Sequence, residues 1–474
     1  MRQKPQSFFL AVLTLAFASF ACQAVSGTEP AATQAPLPTE SQGPAPTQTS
    51  SQPAVEPATV PSQGAGILCA GSTTGLSCLN ESGWQVYTDE NSDLPNPYLY
   101  AGAVCPDGQF AIAHISGVVL FDGTTFKQIP ETDAYSSPEG VACAADGSIW
   151  VAHFQGVSRY SNGEWTTYGS ENMASGDSAN ELVYDVEVAP DGKVWVVTSR
   201  SVAMFENETW TVFQEGQGFN GSRFFNALAL DANERPWAAH SGGLDVFENG
   251  TWTSIEKTDY SSPESLAVDA KGQVWFGTLI SGVQHFDGNT WTQFDRASQN
   301  LLSDTVSAIS ADSGGRVWLG TTHGLTVFDG ANWQTFLMSN SGLGDNDIEF
   351  IVVTNDGPAL PALEEKAQGS LTGKIEKADG TPLADATVEI CVETIGSTFS
   401  GDTPCSDQPF FLSTKTDANG VFLIENVPAG YYVIVADTGD GSWAQLTDQY
   451  GITSERTLIG AGEAYDFETL TLEE

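Results

Sequence analysis

One pattern of residues recurs along most of the chain and constrains its fold more than any other feature. Each copy has an apolar strand, an Asp-Gly turn, a second strand, a Gly-Leu step and a late aromatic residue, and the clearest copy spans residues 317–336. The late aromatic residue returns about every 39 to 45 residues, with four short strands in each unit. These aromatic residues are Trp84, Phe126, Trp165, Trp210, Trp252, Trp291 and Trp333. Such units predict the blades of a β-propeller.

The two ends of the repeat region predict how the propeller closes. The first unit, residues 66–87, has no innermost strand before it, and residues 347–354 read as an innermost strand with no blade after it. We therefore expect residues 346–355 to pair with the first unit. This gives an all-β chain with a seven-bladed β-propeller over residues 65–357, closed by a strand from the end of the domain. A closed ring leaves no exposed sheet edge on which other chains could pair.

The repeat resembles a known family. The elements at residues 318–321, 324–325 and 328–330, with Trp291-Thr292, are similar to the two-component regulator propeller repeats of bacterial sensor proteins. The resemblance implies an extracytoplasmic sensing module, which in that family is generally joined to a membrane helix and a kinase. We see neither of these in the sequence and do not expect the chain to signal directly.

The C-terminal part of the chain has a different pattern. A linker over residues 358–368 precedes residues 369–474, in which short strands alternate with Gly-containing turns. This part resembles the carboxypeptidase regulatory-like β-sandwich. The residues that carry the resemblance are Gly373, Asp379-Gly380, Pro382-Leu383, Ala386, Thr416-Asp417, Gly420, Val427-Pro428 and Gly430-Tyr431. The resemblance implies a C-terminal β-sandwich that serves as a non-catalytic spacer or an adhesive module.

The N-terminus predicts export from the cytoplasm. A short basic region precedes an apolar stretch over residues 8–20, which is too short to span a bilayer. The segment resembles a bacterial lipoprotein signal, so we expect residues 1–21 to be removed and Cys22 to carry the lipid. Ordinary signal cleavage, which would give a secreted soluble protein, is the alternative. Residues 22–64 are rich in Pro, Thr, Ala and Ser and predict an extended tether.

Charge excludes one class of partner. The chain has 60 acidic against 17 basic side chains and a net charge of −43. Binding of a phosphate backbone requires clustered Lys and Arg, and the sequence contains no basic run. We therefore expect no nucleic-acid partner, and contact with a membrane only through the lipid anchor.

The cysteines predict disulfides. Seven cysteines are present, and assigning Cys22 to the lipid leaves an even number. The candidate pairs are Cys69 with Cys78, Cys105 with Cys143, and Cys391 with Cys405. The first pair lies opposite across a two-residue turn, and the last flanks a loop of the sandwich. The middle pair lies on adjacent innermost strands, where either a disulfide between blades or two buried free thiols would fit.

Histidines recur at one position of the repeat. Three of the five histidines occupy the end of the second strand, and a fourth lies two residues beyond the same position in another blade. These candidate ligand-binding residues are His114, His153, His240 and His323. Other blades have Ser or Thr at this position, so a hydrogen-bonding role at the strand end competes with a metal-binding or general-base role.

A loop on the same rim is duplicated. Residues 132–142 closely resemble residues 258–267, and duplication of a three-blade unit would also explain the likeness. The candidate ligand-binding residues of this loop are Tyr135, Glu139, Tyr260 and Glu264. Tyrosine and glutamate side chains at such positions are expected to line a ligand surface.

The sequence favours binding over catalysis. It has no nucleophile elbow, zinc-protease motif, phosphate-binding loop or dinucleotide fingerprint, and we expect no cofactor and no metal. The interpretation is a surface-anchored, extracytoplasmic binding or sensing protein whose propeller rim captures an unidentified glycan, peptide or protein. The sandwich would act as a spacer or second contact. The alternative is an enzyme similar to the propeller lyases that open cyclic antibiotic esters, with His153 beside Glu139 or Glu264 on the rim, or another metal-assisted enzyme that acts at the rim.

Overall fold

The structure is a computed structural model, and every element in its described part is a β-strand. It describes residues 66–472 except 116, 131–136, 170–171, 174–181, 216–217, 220–223, 258–261, 298–300, 355, 393–402, 407, 440–441 and 447–455. Within these limits no helix has the length and apolar character needed to cross a membrane. The predicted signal, Cys22 and the predicted tether lie outside the described residues.

The first 29 strands form four- and five-stranded sheets that follow one another along the chain, with antiparallel pairing throughout except between β15 and β16, which pair parallel. The first three are β1 (Leu68–Ser72), β2 (Gly75–Asn80) and β3 (Gly83–Tyr87). Blade 1 contains β4 (Leu99–Val104), β5 (Phe110–His114), β6 (Gly117–Phe121) and β7 (Phe126–Gln128). Blade 2 contains β8 (Pro138–Cys143), β9 (Ile149–His153), β10 (Gly156–Ser161) and β11 (Glu164–Gly169). Blade 3 contains β12 (Val183–Val188), β13 (Val194–Thr198), β14 (Val202–Glu206), β15 (Thr209–Glu215) and β16 (Gly218–Phe219).

The later blades repeat the same order of strands. Blade 4 contains β17 (Phe225–Leu230), β18 (Pro236–His240), β19 (Gly243–Glu248) and β20 (Thr251–Glu256). Blade 5 contains β21 (Pro263–Val268), β22 (Val274–Thr278), β23 (Val283–Phe286) and β24 (Trp291–Phe294). Blade 6 contains β25 (Val306–Ala311), β26 (Val317–Thr321), β27 (Gly324–Phe328) and β28 (Trp333–Phe336). The strand that follows is β29 (Phe350–Val353).

Blade 7 is built from both ends of the propeller. Its sheet runs in the order β29-β1-β2-β3, and β29 pairs antiparallel with β1, with Leu68 opposite Val353. The sequence predicts this pairing, but the strand begins at Phe350 and not at residue 346. Residues just before β29 make hydrogen bonds with blade 6, since the amide of Ile348 donates to Thr321 O at 3.1 Å.

The early aromatic residue of the repeat fills the core of the propeller. The five tryptophans at this position are at most 6% exposed. They are Trp150, Trp195, Trp237, Trp275 and Trp318. Aromatic partners come from the same blade and its neighbour, as where Trp150 packs against Phe205 of blade 3 with ring centroids 5.3 Å apart. Burial of each such side chain stabilises the fold by roughly 2 to 3 kcal/mol.

The two faces of the propeller carry different connections. Each innermost strand begins at one face, which we call the upper face, and the connections between second and third strands lie there too. The lower face carries the Asp-Gly turns between first and second strands and the turns between third and fourth strands. On the lower face of blade 6, Asp312 accepts hydrogen bonds from the amide of Arg316 at 3.0 Å and from the indole of Trp318 at 3.2 Å. The turn is thereby tied to the core.

The C-terminal strands form two further sheets. The strands are β30 (Gly369–Lys377), β31 (Thr387–Cys391), β32 (Phe411–Lys415), β33 (Val421–Val427), β34 (Gly430–Asp437), β35 (Trp443–Gln445), β36 (Thr457–Ile459) and β37 (Ala464–Leu472). One sheet has the order β33-β30-β37, and the other has the order β32-β31-β34-β35 with β36 paired to β34. Leu371 and Phe422 of the first sheet share a buried core with Ile390 and Ile434 of the second. This part of the chain is therefore a β-sandwich.

The sandwich contacts the upper face at blades 6 and 7. The guanidinium of Arg456, 10% exposed, lies 2.9 Å from Asp345 Oδ2 and 3.3 Å from Asp347 Oδ2, just before β29. It also donates to Thr73 Oγ1, in the upper connection of blade 7, at 3.2 Å. In blade 6 the ring of His323 stacks on Phe410 of the sandwich, with centroids 6.2 Å apart.

All three predicted disulfides are present. The Cα atoms are 4.1 Å apart in Cys69–Cys78, 5.0 Å in Cys105–Cys143 and 5.6 Å in Cys391–Cys405. The first joins neighbouring strands of blade 7, the second joins blades 1 and 2, and the third lies within the sandwich. The second pair is thus a link between blades and not a pair of free thiols.

Candidate functional site

The innermost strands surround a central channel, and polar residues line its upper mouth. In six of the strands the second residue is the extra residue of a β-bulge. A bulge takes this residue out of the regular ladder and re-aims its side chain. In blade 7 the equivalent residue lies immediately before β29. We call these seven residues the polar ring: Tyr100, Glu139, Tyr184, Asn226, Glu264, Ser307 and Glu349.

The polar ring opens into a cavity of about 430 Å³. Below the ring its wall is mostly made of small and apolar residues, such as Ala103, Ala142 and Ala267. None of the described residues that line this cavity is a Lys or an Arg. A concave wall that carries charge of only one sign concentrates its field, so the mouth attracts cationic groups.

Two glutamates of the ring titrate close to neutral pH. Burial raises the pKa of Glu139 to about 7, with a further contribution from the charge of Glu264. Burial also raises the pKa of Glu264 to about 6. The pKa of Tyr184 is raised by burial and, to a smaller extent, by the charges of these two glutamates. Side chains from blades 2, 3 and 5 therefore interact electrostatically across the channel.

Blade 3 adds two more carboxylates with different tasks. Asp185 accepts hydrogen bonds from the amides of Val186 at 2.8 Å and Leu228 at 2.9 Å, and so joins blades 3 and 4. Gly140 leaves room for it, since a Cβ there would lie 2.9 Å from Asp185 Oδ1. Burial raises the pKa of Glu187, which lies deeper in the channel, and the charge of Asp185 raises it further. Asp185 therefore links the two blades, whereas burial favours the neutral form of Glu187 in the channel.

A positive charge of the sandwich influences the pKa of one ring residue. Burial raises the pKa of Glu349, and the positive charge of Arg456 opposes that rise. Tyr100, the neighbouring ring residue in blade 1, has its pKa raised by burial and then by the charge of Glu349. The contact between sandwich and propeller therefore lies close enough to the channel mouth to influence it.

The predicted histidines lie at or near the expected strand ends, and their side chains are buried; that of His323 is covered by Phe410 of the sandwich. Their exposed fractions are at most 1% for His114, His153 and His240, and 9% for His323. Each of the first three pairs with the first residue of an innermost strand, as Pro138 does with His153. Burial lowers the pKa of His153 and of His323 to about 4. These imidazoles are therefore neutral at physiological pH.

Polar contacts hold His153 and His240 within their blades. His153 Nε2 lies 3.1 Å from Ser158 Oγ. In blade 4, His240 Nδ1 accepts from the amide of Gly242 at 3.0 Å, and Nε2 lies 3.3 Å from Asp245 Oδ2. Thr278 and Thr321 occupy the same position in other blades, where their hydroxyls donate to backbone carbonyls at 2.8 and 2.9 Å. The shared environment is that of a hydrogen-bonded strand end.

The duplicated loop contributes to the site through its glutamates. Glu139 and Glu264 lie on β8 and β21 and line the channel, which differs from the rim-loop position that the sequence suggests. Tyr135 and Tyr260 lie outside the described residues. The other five members of the polar ring are not among the candidate residues predicted from the sequence. Aligning the repeats on the first residue of each innermost strand would have found them, since all share the second position.

The lyase alternative would require a histidine beside a glutamate, and the structure places His153 apart from Glu139 and Glu264. His153 bonds to Ser158 inside blade 2, while Glu139 and Glu264 face the channel. No group of three or more His, Cys, Asp or Glu side chains is placed to hold a metal ion in the part of the chain that the structure describes.

Part of one blade matches a known family model. Residues 300–323, which include the first two strands of blade 6, match the family described as two component regulator propeller. No curated protein matches the sequence.

Several solved structures are similar. One, described as the extracellular domain of a hybrid two component system from B. thetaiotaomicron, is 21% identical with a TM-score of 0.45 over 56% of this chain and 37% of that one. This chain thus spans little more than a third of that relative. Virginiamycin B lyase from Staphylococcus aureus is 14% identical with a TM-score of 0.44 over 55% of this chain and 92% of the lyase. PorZ, a surface component of the type-IX secretion system of Porphyromonas gingivalis, is 14% identical with a TM-score of 0.41 over 78% of this chain and 55% of PorZ.

Proposed function

We propose that this chain is an extracytoplasmic binding or sensing protein whose propeller captures its ligand at the polar ring. One observation carries the proposal: seven polar residues, one from each blade, converge on a cavity of about 430 Å³. Ligand sites are typically cavities of several hundred Å³ in which a few polar groups converge. The ring residues are drawn from separate repeats, so packing of a single blade does not account for them.

Several features support an extracytoplasmic setting. Three disulfides form within the described residues, and disulfides persist in oxidising compartments. The N-terminal segment fits a lipoprotein signal, so in this proposal Cys22 carries a lipid and residues 22–64 hold the folded part away from the membrane. The sandwich at residues 369–474, which resembles carboxypeptidase regulatory-like domains, would be a second contact for a glycan, peptide or protein ligand.

The test changes the ring without disturbing the fold. The full chain is applied to a glycan array and a peptide array, and hits are measured again with the double variant Glu139→Gln and Glu264→Gln. We expect affinity to fall at least tenfold with an unchanged melting temperature, because the amide keeps the shape of each side chain and removes its charge. Glu164→Gln, an exposed change on the lower face, is the matched control.

The proposal fails if the double variant binds every array hit as well as the unchanged chain. It also fails if Glu164→Gln weakens binding as much as the double variant, because the effect would then reflect net charge and not the ring.

A further inference from the structure

A set of exposed apolar side chains surrounds the polar ring on the upper face. Three of them immediately precede an innermost strand, and four follow the end of a second strand. We call them the apolar collar: Tyr98, Ile115, Phe154, Leu182, Phe224, Leu279 and Ile280. Ile280 is 76% exposed and Phe224 57%. Among the described propeller residues, the other large apolar side chain exposed to this degree is Val104, at the lower end of β4.

The collar follows the blades that the sandwich leaves uncovered. Each of blades 1 to 5 contributes at least one collar residue. Blades 6 and 7 contribute none among the described residues, and these are the blades that Phe410 and Arg456 of the sandwich contact. The collar residues thus lie on five consecutive blades, in an arc beside the sandwich.

Such an arc of exposed apolar side chains is unusual on a monomeric protein that has no binding partner. Single exposed apolar residues are normal, but soluble monomers rarely group them, and an apolar patch rimmed by polar residues marks an interaction surface. Here the apolar residues border a mouth that carries carboxylates, and none of the described residues that line it is basic. The surface is therefore complementary to a group that is cationic at its centre and apolar at its edge.

On the basis of the function proposed above, we infer that the upper face binds a polypeptide that places a Lys or Arg side chain in the polar ring and apolar side chains on the collar. An extended basic side chain can enter the mouth while its backbone stays outside. Its ammonium or guanidinium then meets glutamate and tyrosine oxygens from several blades, and charge-assisted hydrogen bonds of this kind are the strong ones.

Other partner classes fit less well. Four of the seven collar residues are Ile or Leu, which offer a sugar neither an aromatic face nor a hydrogen bond. A net charge of −43 opposes approach to nucleic acids and to anionic lipid surfaces. A polypeptide supplies both the cation and the apolar side chains from one chain.

The experiment uses the full chain and soluble peptides of sequence Leu-Phe-X-Leu-Phe between Gly-Ser ends, with X as Lys, Arg, Gln or Glu. We expect the Lys and Arg peptides to bind at least tenfold more tightly than the Gln peptide, and the Glu peptide to bind weakest. The double variant Leu279→Ser and Ile280→Ser should weaken binding of the Lys peptide at least fivefold. Leu423→Ser, at a similarly exposed residue of the sandwich, is the control and should leave binding unchanged.

Two results would overturn the inference: equal binding of the Lys, Gln and Glu peptides, or full binding by the Leu279→Ser, Ile280→Ser variant. If a glycan binds instead, and its binding falls with Glu139→Gln and Glu264→Gln, the polar ring is a ligand site and only the polypeptide partner is wrong. If no bound peptide or glycan responds to those ring changes, the proposed function fails as well.

Discussion

The two faces of the propeller use acidic residues in opposite ways. On the lower face, backbone amides of the turn hold the pKa of Asp287 below its usual range, as the amide of Thr290 does at 2.7 Å. On the upper face, burial raises the pKa of Glu139 to about 7 and of Glu264 to about 6. A carboxylate on the lower face accepts hydrogen bonds from the turn that contains it, whereas the carboxylates of the upper face line an open cavity.

The difference follows from the backbone around each carboxylate. A tight turn directs several amides at the Asp that opens it, so the charged form is stabilised locally. A bulge on an innermost strand aims the side chain into the channel, where the neighbouring ring residues are mostly acids and phenols. Loss of a lower-face carboxylate should therefore damage stability, while loss of an upper-face carboxylate should damage binding.

The largest expected effect concerns the closed ring on which both faces depend. We compare a chain ending at Asp345 with a chain ending at Gly357, both without the sandwich. The shorter chain lacks β29 and leaves β1 with an unpaired edge, so it should aggregate or lose cooperative unfolding. Thermal unfolding followed by circular dichroism, together with light scattering, measures this. Identical cooperative melts for the two chains would show that β29 does not close the ring.

The second prediction compares one carboxylate from each face. Asp312→Ala should lower the free energy of unfolding by roughly 3 kcal/mol, because it leaves Arg316 and the Trp318 indole without their buried acceptor. Glu264→Ala on the upper face should change it by less than about 0.5 kcal/mol. Urea denaturation of both variants at pH 7 gives the two values. If both variants lost the same free energy of unfolding, the carboxylates of the two faces would not differ in their contribution to stability.

The third prediction concerns pH. A glutamate whose pKa is raised on folding binds more protons in the folded state, so the free energy of unfolding should fall as pH rises from 5 to 8. The part due to Glu139 and Glu264 should not exceed about 1 kcal/mol, because water reaches both side chains. Urea denaturation at pH 5, 6, 7 and 8 should show a shallower fall in the Glu139→Gln, Glu264→Gln variant. An unchanged slope would mean that neither pKa is raised.

The smallest expected effect concerns the apolar collar. Ile280→Ser should change the free energy of unfolding by less than about 0.5 kcal/mol, because the side chain is 76% exposed. Val283→Ser, at a fully buried position of the next strand, should cost several times more and serves as the comparison. A large loss with Ile280→Ser would show that this residue is part of the core and is not free to meet a partner.

Features that repeat, or that involve residues close together along the chain, could be predicted from the sequence. The spacing of aromatic residues predicts the blades, and the turn between Cys69 and Cys78 predicts their pairing in register. The missing innermost strand of the first unit predicts that residues near 350 complete it, although not where β29 starts. These features follow from local geometry, because strand period and turn length fix which nearby residues meet.

Which polar residues form the candidate site could not be predicted from the sequence and follows from the folded propeller. The polar ring assembles one residue from each of seven blades, and in six of them a one-residue bulge, invisible in the strand pattern, turns the side chain toward the channel. The histidine position looked like a rim site, but packing inside the blade buries His153 beside Ser158. Arg456 meets Asp345 from 111 residues away. Burial and charge at these positions depend on neighbours in other strands, in other blades and in the sandwich, and the folded chain brings those neighbours together.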